Sequence, residues 1–458
     1  MTENLKNCSK TLSGWGRNSK ALVKILNPKG KEELQDIISN SKKNSIIARG
    51  LGRSYGDAAQ LNNGSVINLD YFQHVYLNKS KGIVNAGGGV SFDELLKNII
   101  PEGFFLPVSP GTRNVTVGGA IAADVHGKNH HINGSFGNHL INLLIVDGLG
   151  EINSLSPRKD ADKYEKDKFW ATVGGMGLTG IIIEATFSLI PIKTSKISVD
   201  TSRHSDIDSL MEEMIICDKK FQYSVAWLDT LNKSGRGILT CGNHASPEQF
   251  KEKFEIDNCL DYNPKSLATA PSFIPNGMLN RFTVNAFNEA YFRKAPKSRK
   301  QELQDIASFF YPLDGIQEWN RVYGPKGFLQ YQFVVPDSSA HLIKESIEIF
   351  RKIGIPSFLS VLKRFGQENS AFLSFPKKGW TLAVDIPLSI PKLDKTLFEL
   401  DIKIAEAGGR IYLAKDSRQS SNIFSLTYPK LNEWKLIQHS MDPNRIYCSD
   451  LAIRLNLI

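Results

Sequence analysis

The sequence predicts an α+β fold built from two large regions. Its 458 residues are enough to bury the cores of two or three domains. In the first region, strand and helix signals are separated by clusters of glycine, and residues 141–155 alternate around Asp147-Gly148, a dipeptide that favours a hairpin turn. In the second region, strands alternate with amphipathic helices, an order typical of a sheet covered by helices on one face.

The first region begins with a predicted βα unit. Its strand is Ala21–Leu26, and its helix starts at Lys29, because the apolar residues that follow recur at helical spacing. Two further short strands are predicted at Ser45–Arg49 and Ser65–Leu69, each next to a glycine. Glycine therefore separates the predicted strands of this region.

A strand followed by a capped helix comes next. Ile83–Val90 predicts a strand and a turn. Ser91, with Glu94 three residues later, has the spacing of an N-terminal capping box, so we expect a helix that reaches Ile99.

A connector punctuated by proline, Pro191–Lys196, predicts a domain boundary. Beyond it the pattern predicts strands and helices in alternation. The strands are Phe328–Val335, Ser357–Lys363 and Trp380–Pro387, and the helices are His341–Ile353 and Lys395–Ala407, the second of which ends at Gly408-Gly409.

Composition and charge restrict the class of protein. The net charge of +9 suits an anionic partner such as a phosphorylated small molecule, an acidic lipid surface or nucleic acid, although a generally basic surface also explains it. The sequence contains no Lys/Arg block or motif of the nucleic-acid type, so we predict no nucleic-acid partner.

The cysteines and the chain start bear on the compartment. The five cysteines are scattered and form no C-x-x-C pair, which argues against a zinc site or a disulfide framework and favours a reducing compartment. The polar first residues and the absence of 18 consecutive apolar residues predict no signal peptide and no transmembrane helix. We expect a cytoplasmic or peripherally membrane-associated protein.

Glycine is concentrated in four short loops of the first region. Because glycine permits positive φ and close approach, the backbone N–H groups of such loops can converge on a pyrophosphate. One such loop is usually a turn, but four together indicate a dinucleotide cradle. The loops contain Gly50/Gly52/Gly56, Gly87/Gly88/Gly89, Gly118/Gly119 and Gly174/Gly175/Gly177/Gly180.

One of these loops raises the possibility of a Rossmann-type NAD site. Gly175–Gly180 fits G-x-G-x-x-G, and Phe169–Val173 before it is strand-like. The fingerprint requires a helix after the glycines, whereas Ile181–Phe187 is β-branched and predicts a strand. The sequence therefore argues against this type of site.

Two clusters of ionisable residues are candidates for chemistry. His126, His130 and His131 lie close together, but no metal-ligand spacing accompanies them, so we predict no metal site. His126 follows an apolar run and is the histidine that we favour for handling a proton. In Arg410–Arg418, a strand-like segment precedes charged residues that could supply a fixed cation to a reduced flavin or could be a solvated strand end; Lys415 belongs to this cluster.

These segments resemble the vanillyl-alcohol-oxidase (VAO)-type FAD-binding flavoproteins and, within them, the decaprenylphosphoryl-β-D-ribose 2′-oxidase family. The resemblance implies a two-lobed FAD-binding domain of the PCMH/VAO type, formed by residues 1–191 and completed by residues 409–458. It also implies a substrate domain, residues 192–408, with an antiparallel sheet covered by helices. The matching segments are Ser13–Arg17, Ile47–Asp57, Pro110–Gly119, His126–His131, Phe169–Ile181, Glu318–Phe333 and Tyr412–Arg418.

The resemblance implies FAD-binding residues in four parts of the chain. Many relatives bind the flavin covalently through a histidine of the first loop, and here Arg53 stands in that place, so we predict non-covalent FAD. The implied residues are Arg49, Gly50, Leu51, Gly52, Arg53, Ser54, Tyr55, Gly56, Gly111, Thr112, Val115, Gly118, Gly119, Ala123, His126, Gly127, Met176, Gly177, Ile181 and Tyr412.

The reaction implied by the resemblance is hydride transfer from the ribose C2 of a polyprenylphosphoryl ribose to the flavin. A separate NADH-dependent short-chain reductase would complete epimerisation to the arabinose form, at a membrane surface. His126 matches the family's flavin-adjacent histidine and Lys415 its active-site lysine. The residues implied to face the substrate are Tyr55, Asp314, Gln330, Gln332, Lys363, Thr381 and Lys415.

The sequence departs from the family in one strand. A cysteine that some members carry beside the flavin is replaced by Ala383, and a neighbouring asparagine by Thr381. Hydride transfer does not require the thiol, so we expect activity to survive and the identity of the lipid carrier to stay open. Two other functions also stay open: an aldonolactone oxidase of the same superfamily, and a non-catalytic lipid-phosphate binder, against which the retained His126 and Lys415 argue.

Overall fold

The computed structural model describes residues 9–158, 160, 162–251 and 259–458. The polar chain start and Cys8, on which part of the sequence analysis rests, lie outside the described residues. The model mixes helices with largely antiparallel sheets, so the predicted α+β class is confirmed. In the described part of the chain, no helix is both long and apolar enough to cross a bilayer.

Two small sheets form the first region. A four-stranded sheet has the order β1-β2-β4-β3, and a five-stranded sheet has the order β5-β6-β10-β8-β9. A short antiparallel pair joins β7 to β11. The strands are β1 (Ser9–Ser13), β2 (Lys20–Leu26), β3 (Ile46–Arg49), β4 (Ser65–Asn68), β5 (Val75–Asn78), β6 (Ile83–Gly87), β7 (Phe104–Phe105), β8 (Leu140–Val146), β9 (Ile152–Leu155), β10 (Ile181–Ser188) and β11 (Ile190–Pro191).

Five helices accompany these sheets. The predicted N-cap is confirmed, because the Ser91 side chain accepts a hydrogen bond from the Glu94 amide. The predicted hairpin also forms, between β8 and β9, although its turn comprises residues 147–151 rather than a two-residue dipeptide. The helices are α1 (Lys31–Ser39), α2 (Phe92–Ile99), α3 (Val117–Ala122), α4 (His130–Asn133) and α5 (Lys163–Thr172).

One sequence prediction in this region is wrong. Phe169–Val173, expected to be a strand before the glycine motif, lies almost entirely in α5, whose N-cap Asp162 accepts from the Glu165 amide. The run forms the largely buried C-terminal turn of a helix, and short apolar runs do not separate strand from helix by periodicity. The strand predicted after the glycines forms as β10, so the element order of a Rossmann site is absent on both sides of the motif.

An eight-stranded antiparallel sheet dominates the second region. Its order is β16-β12-β14-β13-β19-β20-β18-β21, and β15 pairs in parallel with β17 outside it. The strands are β12 (Lys196–His204), β13 (Tyr223–Leu228), β14 (Gly237–His244), β15 (Ala268–Thr269), β16 (Ser298–Asp305), β17 (Ile316–Gln317), β18 (Phe328–Val335), β19 (Ser360–Phe365), β20 (Gly379–Pro387) and β21 (Arg410–Ile411).

Helices cover one face of this sheet. Alternate residues of β18, such as Leu329 and Tyr331, pack in a common core with residues of α6, α10 and α11, whereas Gln330 and Gln332 point to the opposite face. The helices that follow α5 are α6 (Ile207–Cys217), α7 (Pro247–Lys251), α8 (Arg281–Lys294), α9 (Ile306–Phe310), α10 (His341–Lys352), α11 (Leu393–Glu406), α12 (Ser421–Thr427), α13 (Leu431–Met441) and α14 (Asp450–Leu455).

The C-terminal helices return to the first region. Trp434 on α13 is fully buried there, and its Nε1 donates to the carbonyl of Ala171 on α5 at 2.9 Å. The Tyr447 hydroxyl donates to the carbonyl of Val146 on β8 at 2.8 Å. The domain limits at residues 191 and 408 stay a prediction.

Candidate active site

A cavity of about 1100 Å³ opens between the glycine loops of the first region and the β18–β20 face of the large sheet. Its walls include most of the residues predicted for cofactor and substrate. Those that line it are Gly50, Leu51, Gly52, Arg53, Ser54, Tyr55, Gly111, Thr112, Val115, Gly118, Gly119, Ala123, His126, Gly127, Met176, Gly177, Asp314, Gln330, Gln332, Lys363, Tyr412 and Lys415.

Four predicted residues stand behind the cavity wall instead. Arg49 donates to the carbonyls of Ser13 and Ala59, at 2.7 and 2.9 Å, and so braces the first loop. Ile181, the first residue of β10, is fully buried in a hydrophobic core. Gly56 and Thr381 are the other two predicted residues that do not line the cavity.

Lys415 is the basic group at the centre of the cavity. Its Nζ lies 3.7 Å from the ring centre of Tyr55. Burial lowers the pKa of Lys415 to about 7, and the nearby Lys363 lowers it further while Asp385 opposes the shift. A substantial fraction of this amine is therefore neutral near pH 7, which allows it to accept a proton.

A buried carboxyl group on β20 organises the wall beside Lys415. Asp385 Oδ1 accepts from Gln330 Nε2 at 2.5 Å, and its Oδ2 accepts from the Tyr323 hydroxyl at 3.2 Å. Burial raises the pKa of Asp385. Gln330 Nε2 also donates to the Tyr55 hydroxyl at 3.4 Å, so Asp385 orients two residues that were predicted to face substrate.

His126 is another buried residue of the cavity wall and is neutral at ordinary pH. Burial, assisted by the charges of Lys363, His130 and Lys415, holds the pKa of His126 well below its usual range. Its Nε2 accepts from Gln332 Nε2 at 3.1 Å, while its Nδ1 has no hydrogen-bond partner among the described residues. A neutral imidazole in this arrangement is suited to positioning neighbouring groups and not to carrying a charge.

Gln332 connects the histidine to Thr381. Its Nε2 donates to Thr381 Oγ1 at 3.3 Å as well as to the imidazole. Thr381 is buried on the neighbouring strand β20, so it fixes the amide without lining the cavity.

Two further lysines stand on the cavity wall. Burial lowers the pKa of Lys363 to about 8. Burial, with the charge of Lys363, lowers the pKa of Lys128 to about 7. Lys128 Nζ donates to the carbonyl of Phe309 and lies 4.2 Å from that ring's centre. Neither amine forms an ion pair with a described carboxylate, so an anionic ligand would favour their charged form.

Comparison with known proteins shows the family. The chain is 40% identical to the decaprenylphosphoryl-β-D-ribose oxidase of Mycolicibacterium smegmatis, over 98% of both chains. The chain belongs to the decaprenylphosphoryl-β-D-ribose oxidase family. Residues 24–156 also match the FAD binding domain model, so this is an FAD-dependent oxidoreductase.

More distant relatives extend the similarity. The chain is 22% identical to the L-gulono-1,4-lactone dehydrogenase of Mycobacterium tuberculosis, over 97% of this chain and 98% of that protein. It is 26% identical to cytokinin dehydrogenase 1 of Arabidopsis thaliana, over 49% of this chain and 40% of that protein.

The cavity walls have the features that FAD requires. Gly52 and Gly177, which line the cavity, have φ of +62° and +78°, a conformation that glycine adopts without a steric penalty. At Gly111, no atom lies within 4 Å of the position that a Cβ would take, so a side chain there would project into open space. The backbone can therefore approach a diphosphate closely at these loops.

Other glycines of the four loops are explained by packing. A Cβ at Gly87, Gly88 or Gly89 would stand 2.0–2.2 Å from a backbone oxygen of an adjacent segment. Gly88 of these also lines the cavity. Glycines that face a ligand and glycines that pack against the chain's own backbone produce the same local pattern, so the sequence does not separate them.

Asp314, which the resemblance implies to face substrate, also holds a loop of the cavity wall. Its Oδ1 accepts from the Thr112 hydroxyl at 2.7 Å, and its Oδ2 accepts from the Arg113 amide at 2.8 Å. Both oxygens therefore hold the 111–113 loop, although the residue lines the cavity. Contact between this carboxylate and a substrate stays a prediction.

Arg454 joins the first loop to the C-terminal segment, a contact that we call the clamp and that the sequence did not predict. Arg454 on α14 donates to both oxygens of Asp57 at 2.9 Å and to Asp416 Oδ2 at 2.8 Å. Nearby, a Cβ at Gly56 would stand 2.0 Å from the carbonyl oxygen of Asp416. The first loop and the segment that carries Lys415 are thus held in direct contact, and no local pattern indicates pairs this distant in sequence.

The other histidines of the cluster have structural contacts. His130 Nδ1 accepts from the Gly366 amide at 3.2 Å, and His131 Nε2 lies 3.2 Å from the carbonyl of Phe221. Across the residues that the structure describes, no three His, Cys, Asp or Glu side chains gather in a metal-binding arrangement.

Proposed function

We propose that this enzyme oxidises the 2-hydroxyl of a polyprenylphosphoryl-β-D-ribose to the 2-keto sugar, the first half of epimerisation to the arabinose form. The observation that carries the proposal is a cavity in which Lys128, Lys363 and Lys415, the three lining lysines whose pKa burial lowers, share the walls with glycine loops suited to FAD. The name of the Mycolicibacterium smegmatis relative supports this substrate.

FAD, when bound, supplies the acceptor for the hydride that leaves the sugar carbon. The backbone around Gly52, Gly111 and Gly177 would hold its diphosphate. We propose that binding is non-covalent, because Arg53, which lies 3.9 Å over the Trp15 ring, offers a guanidinium where a nucleophilic imidazole would be needed.

Lys415 would take the proton of the reacting hydroxyl. In its neutral form the amine accepts that proton, and the hydrogen on carbon leaves as hydride with the electron pair of its C–H bond. One C–H bond and one O–H bond therefore break, and the C=O bond forms. The resulting ammonium supplies positive charge beside the reduced cofactor. The low pKa of Lys415 makes both states accessible near pH 7.

Side-chain amides would orient the sugar. Gln332 is fixed by His126 and Thr381, and Gln330 is fixed by Asp385, so neither amide has to be ordered when substrate binds. Neutral His126 would hold the Gln332 amide in place at the cavity wall. Tyr55, beneath Lys415, offers a hydroxyl at the same site.

The substrate phosphate would lie near Lys363 and Lys128. Phosphate restores the protonated state of amines whose pKa burial has lowered, and each charge-assisted hydrogen bond fixes the headgroup more firmly than a neutral one. An aldonolactone has no phosphate, which favours the lipid phosphate over a lactone. The lactone oxidase stays the second candidate because of the full-length similarity to the L-gulono-1,4-lactone dehydrogenase.

The proposed partners follow from the product. A 2-keto sugar requires a hydride donor to become the arabinose epimer, so we propose an NADH-dependent short-chain reductase as the next enzyme. We also propose a cytoplasmic or peripheral membrane location, since the substrate carries a polyprenyl chain.

Anaerobic stopped-flow spectroscopy tests the proposal. Ribosyl polyprenyl phosphate should bleach the flavin absorbance of the purified enzyme, and a free aldonolactone should not. Bleaching by the lactone alone, or rapid peroxide formation with it in air, would favour the second candidate. If neither compound reduces the flavin, a non-catalytic binder becomes the better hypothesis.

A further inference from the structure

Large apolar side chains are exposed in one stretch of the second region. Leu267, Phe273 and Phe282 are 86%, 84% and 89% exposed, the three highest values among the large apolar residues that the structure describes. Met278, between them, is 54% exposed. Exposed apolar groups concentrated in this way indicate a surface that contacts another apolar phase.

The same stretch is strongly basic. Residues 259–300 contain seven Lys and Arg and two Asp and Glu, a net charge of +5 out of +9 for the whole chain. Five of the seven are exposed and form no ion pair with any described acidic side chain; they are Lys265, Arg281, Lys294, Lys297 and Lys300. We call these five, with Leu267, Phe273, Met278 and Phe282, the mouth surface.

The mouth surface is continuous with the active-site cavity. Pro264, Ser266 and Lys294 line the cavity, as does Tyr291 on α8. The Tyr291 ring stacks on Phe287 at 5.8 Å between centroids, and both are partly exposed. The segments that carry Leu267 and Phe282 therefore also supply residues of the cavity wall, Ser266 and Tyr291.

We propose that the mouth surface docks on an anionic lipid bilayer, so that the polyprenyl chain stays in the lipid while the phosphoryl sugar enters the cavity. This inference rests on the proposed function. Apolar side chains inserted at the boundary of headgroups and acyl chains, surrounded by Lys and Arg, are the combination that holds a peripheral protein on acidic lipid. A protein interface fits less well, because lysine is depleted at such interfaces.

Vesicle flotation of the FAD-loaded enzyme tests the proposal, with flavin absorbance reporting the bound fraction. The probes are vesicles of phosphatidylcholine alone and of phosphatidylcholine with phosphatidylglycerol. The wild-type enzyme should float with the anionic vesicles and weakly with the neutral ones. Added salt should reduce the bound fraction because it screens the lysines.

A paired substitution identifies the surface. Phe273→Ser with Phe282→Ser should lower the partition coefficient at least about tenfold, since two apolar side chains no longer enter the lipid. The matched control is Leu426→Ser with Leu436→Ser, which removes side chains 67% and 76% exposed on α12 and α13 and should leave vesicle binding unchanged. Lys265→Gln with Lys297→Gln should weaken binding to anionic vesicles only.

Each other outcome would overturn the inference. Wild-type enzyme that fails to float, or double variants that all float equally, would exclude this surface. Sedimentation velocity that shows a dimer for the wild type and a monomer for the Phe273→Ser, Phe282→Ser variant, without vesicle binding, would assign the surface to a second copy of the chain.

A second experiment tests the proposed function independently of the mouth surface. A short-chain ribosyl phosphate in detergent should bleach the flavin of both the wild type and the Phe273→Ser, Phe282→Ser variant, because neither residue lines the cavity. If vesicle binding follows the prediction but no ribosyl phosphate bleaches the wild-type flavin, the membrane surface stands and the substrate assignment falls.

Discussion

Lys415 owes its chemistry to its surroundings more than to its identity. An exposed lysine is almost fully charged at pH 7, but burial lowers the pKa of this one to about 7, and the nearby Lys363 contributes to the fall. Asp385, buried in the same wall, limits the fall. A proton acceptor is thus produced from three residues that are distant in sequence.

Replacing Lys415 should abolish most flavin reduction. In Lys415→Ala we expect the limiting rate of flavin reduction to fall by a factor on the order of 10²–10⁴, because the proton acceptor is lost. FAD content should stay near that of the wild type. Lys363→Ala is the control, since it should raise the substrate concentration needed for half-maximal reduction more than it lowers the limiting rate. Equal effects from both variants would contradict the separate roles.

The pH dependence of reduction should follow Lys415. The neutral amine is the active form, so the limiting rate should be highest above pH 7 and fall roughly tenfold per pH unit well below it. Lys363→Ala removes a like charge and should move the inflection to higher pH, whereas Asp385→Asn removes an opposite charge and should move it to lower pH. Stopped-flow rates across the pH range measure both shifts; an inflection that neither variant moves would assign it to another group.

At the scale of elements, the C-terminal segment 409–458 is held against the first loop by a small set of contacts. The Tyr55 amide donates to the carbonyl of Ala414 at 2.9 Å, next to Lys415. Arg454 ties the same two segments together through Asp57 and Asp416, whose side chains are largely buried. The position of the reactive amine therefore depends on α14, although no residue of α14 lines the cavity.

Breaking this clamp should destabilise the protein and loosen its cofactor. Arg454→Ala leaves the Asp57 and Asp416 carboxylates without their cation, a change that costs about 3 kcal/mol in buried ion pairs. We expect a lower midpoint of urea unfolding and a lower FAD content after dialysis. Lys430→Ala, which removes an exposed lysine side chain at the N-cap of α13 that makes no cap hydrogen bond, is the control and should change neither. Wild-type stability in Arg454→Ala would show that the clamp contributes nothing to the fold.

At the scale of the whole molecule, the cavity joins parts of the chain that lie far apart in sequence. Its walls come from the loops near residues 50 and 111, from residues 176–177, from the large sheet and from residues 412–415. A ligand that contacts all of these walls favours the folded state of both regions at once, because it binds the assembled cavity and not the unfolded chain.

FAD should therefore stabilise the entire chain, and its diphosphate should matter. Added to apoprotein, FAD should raise the thermal midpoint by several degrees. Riboflavin, which lacks the diphosphate, should give a much smaller shift if the glycine loops bind that group. Equal stabilisation by the two compounds would contradict the cradle around Gly52, Gly111 and Gly177.

Local features of the fold could be predicted because their causes are local. The Ser91 cap, the β18 and β20 strands and the helix α11, which ends just before Gly408, depend on periodicity and on side-chain to backbone bonds within a few residues. The end of α5 was wrongly predicted to be a strand, since a run of five residues carries too little periodicity to separate the two.

The sequence by itself determined the α+β class, the run of glycine loops and the residues shared with a flavoprotein family. Only the tertiary structure decided which glycines face the cavity, which carboxylates brace loops, as Asp314 does, and where Arg454 is paired. It also decided that Lys415 is a weak base in place of a permanent cation. The physical reason is that burial and charge pairing depend on neighbours brought together from hundreds of residues away, and those neighbours exist only once the chain has folded.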